Sequence, residues 1–162
     1  MKVLILILSM ILLLSGCGAQ DVFEMVTDEM VLETVAQPRE VRFNLAQEPV
    51  MPVMESDGGR LYLCGDFDVV LQTMESGDLD GTVYRISGFT PEGLTMIQTG
   101  TGEVEKYEFV WTSATDEGQQ IGRCTILDDG NFHYALSATV DADLIEEYQE
   151  IWNGIFESFK LA

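Results

Sequence analysis

The chain has 162 residues and a formal net charge of −20, with 28 acidic side chains against eight lysines and arginines. A charge this negative argues against nucleic acid and anionic lipid head groups as direct partners, and it favours neutral or cationic ones. The length suffices for one domain with a substantial hydrophobic core.

The N-terminus has the layout of an export signal. An apolar run of 12 residues, 3–14, follows the single charge of Lys2 and ends in Leu14-Ser15-Gly16-Cys17. The run is too short for a transmembrane helix, which needs roughly 20 residues, and it is typical of a secretory signal. The final tetrapeptide resembles the lipobox of bacterial lipoprotein precursors. This resemblance implies a lipidated Cys17, cleavage before it, and a lipid anchor that holds the protein on the outer face of the cell membrane.

These features divide the chain into a signal peptide (1–16), a short tether (17–20) and a single domain (21–162). Cleavage removes one positive charge, so the processed chain carries −21. At the start of the domain, residues 21–35 are rich in apolar side chains that fit neither the helical nor the strand period. A helix and a hairpin both remain open there.

The first half of the domain predicts strands. Residues 40–45 alternate apolar and polar side chains, which is typical of a half-buried strand. The segment framed by Pro49 and Pro52 is expected at a sheet edge, because proline cannot donate to a ladder. Residues 61–64 and 67–74 predict either two strands or one strand with a bulge.

A short helix is predicted over residues 78–87. Leu79, Val83 and Ile86 recur at helical spacing, Asp78 or Ser76 can cap the start, and Gly88 suits the end.

The second half predicts strands at residues 94–99, 104–112, 120–127 and 131–140. Asp129-Gly130 between the last two is a hairpin signal, since both residues tolerate the positive φ angles of a tight turn. The last strand is expected to turn alternate apolar side chains inward: Phe132, Tyr134, Leu136, Ala138 and Val140.

The chain closes with an amphipathic helix. Asp143 and Glu146 have the spacing of a capping box, and the apolar stripe comprises Leu144, Tyr148, Ile151, Trp152, Ile155, Phe156 and Phe159. Such a helix must pack on a sheet. The predicted fold class is therefore α+β: a twisted antiparallel sheet with a C-terminal helix on one face and a short middle helix.

The closing strand and helix resemble the PsbP-like sandwich. The segments that carry the resemblance are Phe132-His133-Tyr134-Ala135-Leu136 and Ile155-Phe156-Glu157-Ser158-Phe159. It implies an antiparallel sheet wrapped by helices and a role as an assembly or binding factor without catalytic residues. The whole chain also resembles a group of uncharacterised clostridial lipoproteins.

Cys64 and Cys124 are left once Cys17 is lipidated. An even pair in an exported domain favours a disulfide, and two buried free thiols are the alternative. Neither cysteine has a second Cys or a His at ligand spacing, so no zinc site is predicted.

The remaining candidates for chemistry are weak. His133 is the single histidine and alternates with the inward residues of its strand, which predicts a surface or half-buried side chain outside any Ser-His-Asp arrangement. Asp78, Asp80 and Gly81 partly match a calcium loop, but serines occupy its first and last ligand positions. No catalytic residue, metal or cofactor is predicted.

The sequence therefore predicts a membrane-anchored, extracytoplasmic, non-catalytic lipoprotein that binds or helps to assemble another envelope protein. The alternative is a receptor for a small molecule or a peptide, with a pocket between the helix and the sheet. A roomy, preformed cavity would favour the receptor, and a densely filled interface would favour protein partners.

Overall fold

The computed structural model describes residues 35–45, 51–116 and 118–162. The signal peptide with Cys17, the tether, the segment 21–34 and Pro49 lie outside these residues. The compact part of the described chain runs from Ala36 to Ala162. Among the described residues, no helix has the length and apolar character needed to cross a bilayer.

The fold is built on a seven-stranded antiparallel sheet, with strand order β2-β3-β4-β8-β7-β6-β5. A separate two-stranded pair joins β1 to β9. The strands are β1 (Val41–Arg42), β2 (Met54–Ser56), β3 (Gly59–Leu63), β4 (Phe67–Glu75), β5 (Met96–Thr101), β6 (Val104–Thr115), β7 (Gly118–Asp128), β8 (Phe132–Asp141) and β9 (Lys160–Leu161). The helices are α1 (Leu79–Ser87) and α2 (Ile145–Ser158), and 3-10 turns lie at Pro91–Gly93 and Ala142–Leu144. The fold class is α+β, as predicted.

Each face of the sheet packs its own apolar cluster. On one face, the predicted inward residues of β8 meet α2 in the larger cluster, which also holds Phe67 and Val69 of β4. On the other face, Val83 of α1 packs with Phe109, Trp111 and other residues in a smaller cluster. Because successive side chains of a strand point to opposite faces, β8 contributes to both clusters. The sheet is thus covered on both sides by helices.

Helix α1 begins and ends as its sequence predicts. The side chain of Asp78 accepts a hydrogen bond from the backbone N–H of Gly81 at 2.8 Å, which satisfies one of the free donors at the helix start. Gly88 ends the helix in the left-handed conformation, with φ of 78°.

Helix α2 buries its predicted stripe, with Trp152, Ile155 and Phe156 fully inside. The predicted capping box is wrong. Leu144 precedes the helix without a side-chain cap, because Asp143 lies within the 3-10 turn that carries the chain from β8 directly into α2. The hydroxyl of Tyr148 donates to Asp66 at 2.7 Å, and this hydrogen bond raises the pKa of Tyr148 to about 12.

The strand predictions need two corrections. Residues 40–45 form a strand only at Val41–Arg42, although Phe43 and Leu45 still pack against the larger cluster. The strand Met54–Ser56 has no predicted counterpart and pairs with β3. Of the two alternatives for residues 61–64 and 67–74, the structure has the two separate strands β3 and β4. Between them, the backbone N–H of Cys64 donates to the carbonyl oxygen of Phe67 at 2.9 Å.

Candidate functional site

A cavity of about 640 Å³ opens where one edge of the sheet meets the first turns of α2. Its walls come from three places: the 89–95 loop between α1 and β5, the strands β6 and β7, and helix α2. The volume lies within the range of small-molecule and cofactor sites, roughly 300–1,000 Å³. The pocket between helix and sheet that the receptor alternative requires is therefore present.

The cavity exists because β5 is shorter than its neighbour. The pairing of β5 with β6 begins at Met96 opposite Phe109, whereas β6 continues to Thr115. Before Met96 the chain runs through the 3-10 turn Pro91–Gly93 instead of along β6. Residues 110–115 thus have β7 on one side and, within the described chain, no strand on the other. Val110 and Thr112 of this free edge line the cavity.

Both tryptophans of the chain line the cavity. Trp111 lies over Gly122, where any Cβ would overlap the indole. Trp152 is 3 % exposed and packs edge-on against Phe67 and Phe156, at centroid distances of 6.3 and 6.4 Å. Its indole Nε1 is a buried donor that finds no hydrogen-bond partner among the described residues. An unpaired buried donor costs about 1–3 kcal/mol.

Arg123 is the cationic residue in the wall, and its charge is already compensated. Its guanidinium donates to Asn153 Oδ1 at 2.7 Å and lies 3.5 Å from Glu108 Oε1. The same group stacks over the ring of Phe156, with Cζ 4.5 Å from the centroid. Arg123 therefore braces β7 against α2, and the cavity has little capacity to attract an anion.

The surroundings of the cavity are acidic. Glu146 and Glu150 are exposed on α2, within one helical turn of the cavity residues Gln149 and Asn153. Asp116 is exposed where β6 ends. Together with the net charge of −20, these carboxylates favour a neutral or cationic ligand.

A second polar cluster surrounds His133 on the opposite face of the sheet. The ring Nδ1 lies 2.9 Å from Thr82 Oγ1 of α1. The ring Nε2 lies 3.4 Å from both Ser76 Oγ and Asp128 Oδ2, and Ser76 donates to Asp128 Oδ1 at 2.9 Å. His133 is 1 % exposed. The predicted surface or half-buried position is wrong, because α1 covers the face of β8 that points away from α2.

The geometry of this cluster differs from a catalytic triad. In a Ser-His-Asp triad the nucleophile and the carboxylate contact opposite ring nitrogens. Here Ser76 and Asp128 both approach Nε2 of His133. The hydroxyl at the other nitrogen belongs to Thr82, which is 5 % exposed. The cluster therefore ties α1 to the sheet. Sequence spacing gave no sign of it, since its members lie up to 57 positions apart.

The two described cysteines are free and buried, which corrects the disulfide interpretation. Cys124 pairs with Ser137 and belongs to the cluster of α1. Cys64 lies two residues after Tyr62, and both belong to the larger cluster, which packs α2. The thiols therefore lie on opposite faces of the sheet, where no disulfide can join them without backbone movement. Burial raises the pKa of both thiols.

The acidic residues at the start of α1 and in the turn between β7 and β8 have structural roles. Asp78 caps α1, and Asp80 lies in its first turn. Asp129 accepts hydrogen bonds from the backbone N–H groups of Asn131 and Phe132 and from the Tyr134 hydroxyl. Within the described chain, no three His, Cys, Asp or Glu side chains are grouped to hold a metal ion.

Asp129 also has a shifted pKa. Burial acts to raise it, but the hydrogen bonds from Phe132, Asn131 and Tyr134 and the charge of Arg39 outweigh burial and lower the pKa of the carboxyl. Gly130 follows with φ of 85°, so the predicted Asp129-Gly130 hairpin is confirmed.

No protein-family model and no curated protein matches the sequence. Solved structures show distant similarity. One is LpqN, involved in cell envelope biogenesis of Mycobacterium tuberculosis: 12 % identity, TM-score 0.47, covering 78 % of this chain and 86 % of that one. Another is a protein of Bacteroides thetaiotaomicron VPI-5482: 11 % identity, TM-score 0.45, covering 69 % of this chain and 41 % of that one.

A third is the Ran-binding protein Mog1p of Saccharomyces cerevisiae: 7 % identity, TM-score 0.47, covering 78 % of this chain and 96 % of that one. These are similarities of chain trace, so function is argued from the residues of this chain.

Proposed function

We propose that this chain is a lipid-anchored, extracytoplasmic protein that binds a ligand without catalysing a reaction, and that the cavity beside α2 is its binding site. The observation that carries the proposal is the cavity of about 640 Å³, whose lining combines apolar side chains such as Trp152 and Ile121 with the polar side chains of Thr112, Gln149 and Asn153. A preformed cavity with mainly apolar walls and a few polar groups is typical of a ligand-binding site.

The anchor and the location rest on the N-terminal sequence. The tetrapeptide Leu14-Ser15-Gly16-Cys17 behind a short apolar run supports lipidation of Cys17 after export. Two acyl chains hold a protein on a membrane far more firmly than one. We expect Cys17→Ser to accumulate as an uncut, unlipidated precursor, which mass spectrometry of membrane fractions would detect. A processed form released normally from that variant would contradict the anchor.

The absence of catalysis is part of the proposal. It is supported by the His133 cluster, the described polar cluster that most resembles a catalytic one, because the arrangement around the ring does not allow a proton relay from Ser76 to Asp128. A reproducible hydrolase or transferase activity of the purified protein, lost on one point substitution, would overturn this part.

A preformed cavity favours the receptor alternative over an assembly factor that uses a densely packed surface. One feature also supports a protein as the ligand. A second hollow of about 340 Å³ shares Thr95, Val110 and Arg123 with the cavity, and Ile97 and Val110 beside it are more than half exposed. Apolar surface that continues outside a cavity suits a ligand longer than a small molecule, such as a segment of another envelope protein.

Intrinsic fluorescence tests the binding site, because Trp111 and Trp152 are the tryptophans of the chain and both belong to the residues that line the cavity. Full-length lipidated protein in nanodiscs would be titrated with apolar amines, amides and short peptides while tryptophan emission is recorded. Gly93→Leu places a side chain at the cavity wall, and Gly154→Leu is the matched control. A Cβ at either glycine meets no atom within 4 Å, and neither residue has a positive φ.

We expect Gly93→Leu to weaken the response about tenfold, the equivalent of about 1.4 kcal/mol of lost contact, and Gly154→Leu to leave it unchanged. Equal responses from both variants, or no ligand that shifts the emission, would contradict the proposed site.

A further inference from the structure

We propose that the ligand of the cavity is an extended polypeptide segment of a partner protein, neutral or cationic, that adds as a strand to the free edge of β6 at residues 110–115. This inference rests on the proposed function, since it names the class of ligand that the same cavity receives. It goes beyond that function because it proposes that the ligand forms main-chain hydrogen bonds with one strand, β6.

The register of two hairpins shows which backbone groups of β6 face outward. Thr115 pairs with Gly118 across a two-residue loop, and Thr101 pairs with Val104 across another. The residues that flank a two-residue hairpin loop exchange hydrogen bonds with each other, and such pairs alternate along antiparallel strands. The odd-numbered residues of β6 therefore bond to β7, and the even-numbered residues bond to β5. Both hairpins give the same parity.

The even-numbered residues of β6 from Val110 onwards lie beyond the start of β5, so no residue of β5 stands opposite them. The N–H and C=O groups of Val110, Thr112 and Ala114 point to the open side of β6, and no backbone hydrogen bond among the described residues reaches them there. Backbone polar groups are strong donors and acceptors that normally find partners. Val110 and Thr112 are also cavity residues, so the wall of the cavity presents a ladder ready to be completed.

An added strand would satisfy this edge and fill the cavity together. Main-chain hydrogen bonds supply the affinity in strand addition, and pockets for alternate side chains supply the specificity. Every second side chain of the segment would lie on the α2 face of the sheet, where Trp152 and Val110 form apolar walls. The six residues 110–115 offer about 20 Å of edge at 3.4 Å per residue.

The charges around the site limit which residue types the bound segment can contain. Glu146, Glu150 and Asp116 lie around the site, and Arg123 is occupied by Glu108 and Asn153. An acidic segment would be repelled, while lysines or arginines at alternate positions would be attracted.

The probe is an acetylated and amidated peptide, Lys-Val-Lys-Val-Lys-Val-Lys, titrated against the full-length protein in nanodiscs of zwitterionic lipid with tryptophan emission as readout. The matched control is the same peptide with N-methyl groups on alternate amides, which keeps its charge and side chains. We expect N-methylation to weaken binding about tenfold or more, since each missing ladder hydrogen bond is worth a few-fold in affinity. Equal binding of both peptides would overturn the inference.

Variants of the edge test the same point from the protein side. Thr112→Pro removes an outward N–H that the β7 ladder does not use, and proline is tolerated at such edge positions. Thr112→Val keeps the backbone donor and a side chain of similar shape. We expect Thr112→Pro to lose peptide binding and Thr112→Val to retain it. Far-UV circular dichroism checks that both variants are folded, and the N-methylated peptide gives an answer that needs no variant.

The two proposals fail in different ways. If a neutral apolar dye such as N-phenyl-1-naphthylamine shifts the tryptophan emission and the peptide does not, strand addition is wrong and the cavity remains a small-molecule site. If neither the dye nor any peptide shifts the emission, the binding site itself is wrong.

Discussion

The face of the sheet that packs α1 and the face that packs α2 treat their polar groups differently. Beneath α1, His133 is buried yet contacts Thr82, Ser76 and Asp128 through its two ring nitrogens. Beneath α2, the apolar core borders a cavity that Trp152 lines, and the buried Nε1 of Trp152 has no hydrogen-bond partner in the described part of the chain. A satisfied buried network fixes the packing of its elements, whereas a preformed cavity leaves room for a ligand. We therefore expect the polar groups of the first face to stabilise the fold, and we propose the binding site on the second.

The largest expected effect is on the α1 face. His133→Leu removes the partner of the buried Thr82 hydroxyl and one neighbour of Asp128. We expect the free energy of unfolding to fall by about 2 kcal/mol, because an orphaned buried hydroxyl costs about 1–3 kcal/mol. Urea unfolding followed by circular dichroism measures this. If the variant is as stable as the parent protein, the network around His133 does not stabilise the fold.

On the α2 face we expect a substitution to change the free energy of unfolding very little. Trp152→Phe removes more atoms than His133→Leu, but it also removes the unpaired Nε1 donor. The lost packing and the relieved desolvation cost offset each other, so the free energy of unfolding should change by less than about 1 kcal/mol. Ligand binding should weaken. The same urea titration serves, with Trp111 as the remaining fluorophore. A loss clearly above about 1 kcal/mol, as expected when buried ring atoms leave a cavity and no desolvation cost is relieved, would contradict the comparison.

Asp129 connects the turn before β8 to Tyr134 in the core of the α2 face. Its lowered pKa means that the folded state favours the carboxylate. The corresponding stability is present above the ordinary carboxyl pKa of 3.8 and is lost as pH falls through the lower folded value. Because the group is largely solvated, we expect the effect to stay below about 1 kcal/mol.

Asp129→Asn should therefore be less stable than the parent protein at pH 7, and the difference should shrink towards pH 3. Urea midpoints at the two pH values measure it. A difference that is independent of pH would show that the charge of Asp129 contributes nothing.

The smallest expected effect is none at all. Cys64 and Cys124 lie on opposite faces of the sheet, so a reducing agent should leave the melting temperature unchanged. Both thiols should react with a thiol reagent only after unfolding, since burial raises the pKa of each. A lower melting temperature in reductant would mean that the two faces are covalently joined.

The sequence predicted those parts of the fold that local chemistry decides. The Asp78 cap and the Gly88 end of α1, the hairpin at Gly130 and the apolar stripe of α2 all depend on residues close together in the chain. The capping box failed because the chain enters α2 through a 3-10 turn.

The features on which the functional proposals rest depend on contacts between distant segments. His133 is buried because α1 covers it, and the cavity exists because β5 stops at Met96 while β6 runs on. The faces on which Cys64 and Cys124 lie follow from strand register. None of these has a signal at a fixed spacing along the chain, although the pocket between helix and sheet was among the stated alternatives.

The most direct test of strand addition is amide hydrogen exchange along β6, measured residue by residue with and without the Lys-Val peptide. In the free protein, Trp111, Ser113 and Thr115 should exchange slowly because they bond to β7, and Thr112 and Ala114 should exchange fast. With the peptide, we expect Thr112 and Ala114 to become protected while the odd-numbered amides change little. Unchanged exchange at Thr112 and Ala114 under saturating peptide would contradict the account.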